Sequence, residues 1–190
     1  MKKLLTIVAV GSCMAVQTYG QGTVTFAAAN ITNSVTSALA VSGTSFKIAL
    51  YWLPDSANPQ STADFGPTTV AATTNLTLVG GVNGGVVRIE GITPAGAPAW
   101  FQIRAWENVV NGDAWEQAIT RTVGARGALI GTSNIGRIDT GDPTAVPPGT
   151  APNTALTLKG FTLYPVVPEP STIGLGILGI ASLLLLRRRS

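Results

Sequence analysis

Histidine does not occur anywhere in these 190 residues, and cysteine occurs once, as Cys13. The first absence removes most catalytic machinery. No Ser/His/Asp triad, Cys/His dyad or histidine-based zinc site can be assembled from this chain. The second removes a disulfide framework, because one thiol has no partner within the chain. Charged side chains are also scarce, at 11% of residues, and aromatics make up only 6%. No cofactor or metal is expected on these grounds.

The few charges are unevenly placed. Lys2, Lys3, Arg187, Arg188 and Arg189 are five of the 12 basic residues. Between Gln21 and Pro165 seven basic residues face eight acidic ones, a net charge of −1. The basic character of the whole chain therefore sits in its terminal segments. A nucleic-acid partner would need a basic stripe interleaved with aromatics, and none is present.

Both terminal segments read as addresses rather than as fold. Met1-Lys2-Lys3 is a basic n-region and Leu4–Val16 an apolar h-region, so residues 1–20 are expected to be a secretory signal peptide. Cleavage fits after Thr18-Tyr19-Gly20. The alternative is a lipobox, Val10-Gly11-Ser12-Cys13, in which Cys13 is lipidated. At the other end, Pro168-Glu169-Pro170 precedes an uncharged run from Thr172 to Leu186 and then the triple arginine. The run is expected to be a transmembrane helix, with Arg187, Arg188 and Arg189 as its cytoplasmic basic stop. Its 15 residues reach only roughly 22 Å as a helix, against a hydrocarbon core of about 30 Å. That shortfall suits a provisional tether better than a permanent span. Gly174-Leu175-Gly176-Ile177-Leu178-Gly179 matches a dinucleotide-binding pattern in letters alone, since no strand precedes it and no acid follows it.

About 145 residues remain for one folded domain. They are rich in Thr, Val, Ser, Ala and Gly and show no sustained 3.6-residue apolar period, which points to an all-β domain. Strands are expected near Gly22–Ala28, Ser45–Leu53, Asn75–Val79, Val86–Glu90, Ala99–Glu107, Ala118–Val123 and Ala155–Val166. Phe46, Ile48, Leu50 and Trp52 share one face of their strand and should face the core. Ala99, Phe101, Ile103 and Ala105 likewise share the inward face of theirs. Trp100, Gln102, Arg104 and Trp106 then point outward or toward a loop. Strands of this number and spacing favour a single β-sandwich, jelly-roll or immunoglobulin-like, with a partly open barrel as the alternative. No internal repeat of solenoid length is present.

Chemistry without histidine is restricted. Glu107 and Glu116 each follow a tryptophan, and a turn at Asn111-Gly112-Asp113 would fold Trp106-Glu107 back on Trp115-Glu116 as a hairpin. Two carboxylates beneath two rings is what a glycosidase needs, so a glycoside hydrolase is the remote reading. A carbohydrate-binding surface on Trp100, Trp106 and Trp115 is the nearer one. Packing explains both tryptophans as well. Gly131-Thr132-Ser133-Asn134 lacks the final glycine of a nucleophile elbow and any base, which leaves a capped turn. Asp139-Thr140-Gly141-Asp142 offers calcium two acids where six to eight oxygens are wanted, and Asx-turn chemistry accounts for both.

The segment Val167-Pro168-Glu169-Pro170-Ser171-Thr172, with the glycine-containing apolar run and triple-arginine end, resembles the PEP-CTERM sorting signal of bacterial exosortase substrates. Leu50-Tyr51-Trp52, Ala99–Glu107, Gly131–Ile135 and Gly20–Phe26 resemble segments of small secreted proteins of that group, which carry no assigned activity. The resemblance implies export through the secretion machinery and an inner-membrane-tethered precursor. It further implies recognition and cleavage by an exosortase at Pro168, Glu169 and Pro170, then transfer to the cell surface or an extracellular matrix containing polysaccharide. The resulting expectation is a structural or binding protein and not an enzyme.

Overall fold

The computed structural model describes residues 21–108, 114–123 and 126–166. The expected signal peptide with Cys13, the turn at 111–113, the sorting motif, the apolar run and the basic tail lie outside the described residues. In chain order the strands are β1 (Gln21–Ala28), β2 (Thr32–Asn33), β3 (Ala38–Leu39), β4 (Gly43–Pro54), β5 (Val70–Leu76), β6 (Val82–Glu90) and β7 (Pro98–Glu107). After the short helix α1 (Trp115–Ala118) follow β8 (Thr122–Val123), β9 (Arg126–Gly127), β10 (Leu129–Thr132), β11 (Gly136–Asp139) and β12 (Thr162–Pro165). The described residues are thus all-β in class.

Alternation makes β4 and β7 the backbone of the fold. They pair antiparallel from Phe46 opposite Glu107 to Pro54 opposite Ala99. Around them lies an eight-stranded sheet ordered β3-β2-β12-β10-β7-β4-β5, with β11 also paired to β7. β10 and β11 occupy one edge of β7 in succession, against Arg104–Trp106 and Pro98–Phe101 respectively. β1 and β6 form a separate antiparallel pair. Val24 and Phe26 of β1 and Ile89 of β6 join Phe46, Ile48, Leu50, Phe101 and Ile103 in one buried cluster, so the pair covers the expected inward face of β4 and β7. Each such side chain contributes about 1.5–3 kcal/mol on burial.

Three expected strands are corrected. Asn75–Val79 is displaced: the strand is Val70–Leu76, and Leu78 to Gly81 closes a turn in which Gly80 has φ +67°. A left-handed residue ends the strand there at little cost only because it is glycine. Ala118–Val123 begins with the last residue of α1, turns, and is extended only in the two-residue β8. Gln117 starts that helix instead, its Oε1 accepting from Ala114 N–H at 3.1 Å. Ala155–Val166 holds a 3₁₀ turn at Thr154–Leu156 and is extended only over Thr162–Pro165.

Two polar residues serve backbone groups on strand edges. On the edge of β1 away from β6, Thr23 and Thr25 donate their N–H groups to Gly141 O and Pro152 O. Ala27 N–H, next on that edge, donates to Thr154 Oγ1 at 2.9 Å, and that hydroxyl donates to Ala27 O at 2.6 Å. Between β10 and β11 the chain leaves the edge of β7. Ser133 fills the gap, its N–H donating to Ile103 O at 2.8 Å and its Oγ accepting from Ile103 N–H at 2.9 Å.

Candidate functional site

The second face of β4 and β7 carries the residues singled out for chemistry. It is not open to solvent. Ala49, Tyr51, Phe65, Trp106, Trp115 and Ala118 form a second buried cluster there. The connection between β4 and β5, with 3₁₀ turns at Asp55–Ala57, Thr62–Asp64 and Pro67–Thr69, supplies Phe65 to it, and α1 supplies Trp115 and Ala118. The face therefore turns toward a loop, the second of the two orientations that its mixed composition allows.

Arg104 stands at the centre of this cluster with 3% exposure. Ala49 lies opposite it in register and leaves room for the guanidinium. That group sits 4.0 Å above the Tyr51 ring, 5.3 Å from the Trp115 ring and 6.0 Å from the Phe65 ring. Its Nη2 donates to Thr62 O at 2.6 Å and Phe65 O at 2.8 Å, and its Nε donates to Gln102 Oε1 at 3.2 Å. Among the described residues no carboxylate lies within ion-pairing distance of it. Burial pushes the arginine's pKa below its ordinary value and the Tyr51 phenol's above its own. The charge is held by π faces and carbonyl dipoles, and what it does is bind the covering loop to the sheet.

Trp106 and Trp115 meet edge to face, with centroids 6.1 Å apart at 78°. They are 2% and 8% exposed. Rings so enclosed show little surface, although both line a cleft of about 240 Å³ with Tyr51 and Glu116. Trp100 is half-buried and packs against the margin of the same cluster, its Nε1 donating to Asp55 O at 3.1 Å. The three tryptophans thus lie in one cluster, as a packed pair and a third ring at its rim.

The two glutamates occupy different elements. Glu107 ends β7, where Arg126 binds both its oxygens at 2.7 and 2.9 Å and Leu129 N–H donates to Oε2 at 3.1 Å. Glu116 is exposed on α1. Glu107 therefore closes the foot of β9 and β10, and the hairpin expected between the two acids is replaced by a helix at its second arm. Ser133 is equally committed, its hydroxyl donating to Asn134 O at 2.8 Å while accepting from Ile103. Asp142 Oδ1 accepts from Thr144 N at 2.8 Å and Oγ1 at 2.6 Å, an Asx turn that holds its carboxyl below the usual range. Among the described residues no three His, Cys, Asp or Glu side chains are grouped to hold a metal.

Open surface remains near the last strand. A cleft of about 490 Å³ lies over the paired strands β10 and β12, lined by Trp115, Ile130, Phe161 and Tyr164 with threonine rims. Tyr164 is the exposed aromatic there. Nothing in the residue pattern marked it, because it is one ring in a short strand. Val166, two residues on, still donates its N–H to Ala128 O at 2.9 Å, so the fold runs up to the edge of the sorting segment.

Residues 166–190 match the family model of the PEP-CTERM protein-sorting motif. The chain carries the sorting segment of an exosortase substrate, as its residues led us to expect. No curated protein and no solved structure matches the chain. Among the described residues no helix is long and apolar enough to cross a membrane.

Proposed function

We propose that this chain is an exported protein, held in the inner membrane as a precursor, processed by exosortase and delivered to the cell surface or extracellular matrix. Its domain, read as a lopsided β-sandwich with β1 and β6 as the smaller sheet, serves a structural or binding role and not a catalytic one. The observation that carries the sorting half is the match at residues 166–190, which begins where the last strand ends. The non-catalytic half is supported by the engagement of Glu107, Ser133 and Arg104 in holding backbone, loop and strand ends together. A carbohydrate contact on Trp106 and Trp115 is disfavoured by their burial.

Mass spectrometry of the protein's C-terminus, in cells with and without the exosortase, tests this reading. The expected result is a chain ending near Pro168–Pro170 in the first and an uncut, membrane-retained chain in the second. The same C-terminus and the same location in both cells would overturn it.

A further inference from the structure

The junction between the domain and its sorting segment is short enough to restrict how the precursor can lie. Five residues, Val167 to Ser171, separate Val166 from the apolar run at Thr172, and two of the five are proline. Six Cα steps span at most about 20 Å. The headgroup layer takes about 5–8 Å of that reach. A domain of this size has a radius of gyration of about 15 Å, so its body is broader than its tether is long. The side from which β12 leaves must stay close to the membrane.

That side presents the cleft over β10 and β12. Tyr164 is 62% exposed there, while its neighbour Leu163 is fully buried in the core. Phe161, Ile130 and Trp115 line the cleft, and no charged side chain does. Seating such a surface in a headgroup layer strips water from no ion, and rings with one polar end are favoured at that depth. We propose that this cleft, Tyr164 foremost, is the face on which the anchored precursor rests against its own membrane, with the phenol among the headgroups. The proposal rests on the membrane-tethered reading above.

Its test uses the full chain with Cys13→Ser, carrying Tyr164→Cys or, as control, Val86→Cys. Val86 is 64% exposed on β6, in the other sheet. Each variant is labelled with an environment-sensitive fluorophore and reconstituted in phosphatidylethanolamine/phosphatidylglycerol vesicles. A headgroup-level nitroxide lipid should quench the label at 164 several-fold more than that at 86, and aqueous iodide should do the reverse. In the unlabelled chain, Tyr164 should be iodinated several-fold more slowly in vesicles than in detergent. Equal lipid quenching at both positions would overturn the proposal. So would shielding at 164 that vanishes on dilution with lipid, which indicates a second copy, or that requires added polysaccharide. If an alkaline wash strips the chain from the vesicles, the tethered reading fails instead.

Discussion

The Arg104 guanidinium lies 4.0 Å above the ring of Tyr51, its diagonal neighbour across the pairing of β4 and β7. The same guanidinium donates to the carbonyls of Thr62 and Phe65 in the loop that covers this face. One side chain thus fastens a layer to a sheet. Its removal strands two carbonyl acceptors and opens a cavity among three rings. Arg104→Ala should cost about 3–4 kcal/mol in chemical denaturation. Arg104→Lys keeps the charge without the planar fork and should recover only part of the loss. Full stability in Arg104→Ala would show that the loop is held by Phe65 packing alone.

Alkaline pH should weaken the fold around the same ring. Burial raises the Tyr51 phenol above its ordinary value, although the nearby Arg104 pulls it down. A group whose folded pKa is raised supplies stability below its unfolded pKa and loses it as pH climbs through the folded value. The window therefore opens near pH 10, the ordinary phenol value. Wild-type stability should fall there more steeply than that of Tyr51→Phe, which keeps the ring and has no proton to lose. Parallel denaturation curves for the two proteins above pH 10 would contradict this.

Trp106 and Trp115 should behave as interior residues. Trp106→Ala is expected to destabilise by about 3–5 kcal/mol, of which edge-to-face geometry accounts for about 1. Trp100→Ala, at the half-buried rim, should cost less than half as much. Polysaccharide binding lost in Trp106→Ala or Trp115→Ala with thermal stability intact would restore a sugar-contacting role to these rings.

Thr154→Val preserves shape and deletes the hydroxyl that serves both backbone groups of Ala27. A buried N–H and C=O left without partners cost about 1–3 kcal/mol each. The expected loss is about 2–4 kcal/mol, with hydrogen exchange at Ala27 accelerated relative to Val24. If Ala27 stays protected, another group satisfies this edge of β1.

What was legible in the residues, and what was not, follows from how each feature is encoded. β4 and β7 are legible because Phe46, Ile48, Leu50 and Phe101, Ile103, Ala105 alternate with period two. The other face of β7 is ambiguous because Gln102 and Arg104 read as polar. Their partners include the Thr62 hydroxyl and the Thr62 and Phe65 carbonyls, about 40 positions away in a connection whose Pro, Ser and Asp content signals only turns. Thr154 and Ser133 are illegible for a related reason, since each serves backbone groups on the edge of a distant strand. The sorting segment is legible because a linear address needs no fold to be read.

Gly127 joins the folded domain to that address. A methyl group there would run into the Val166 carbonyl, and backbone cannot yield as a flexible side chain can. Gly127→Ala should therefore push the end of β12 away from β9 and break the bond from Val166 N–H to Ala128 O. Leu163 and the core above it lie deeper in the strand, so global stability should drop by only about 1–2 kcal/mol. The stretch from Pro165 to the sorting motif should meanwhile become open to proteases. In cells making the exosortase, the fraction of processed chain should rise if a folded β12 restrains access to Pro168, and should stay unchanged if the enzyme needs no more than the motif and the apolar run. Limited proteolysis and the precursor-to-product ratio read the two effects separately. An unaltered protease pattern in Gly127→Ala would show that the strand end tolerates the methyl group and that this glycine does not fix the exit of the chain.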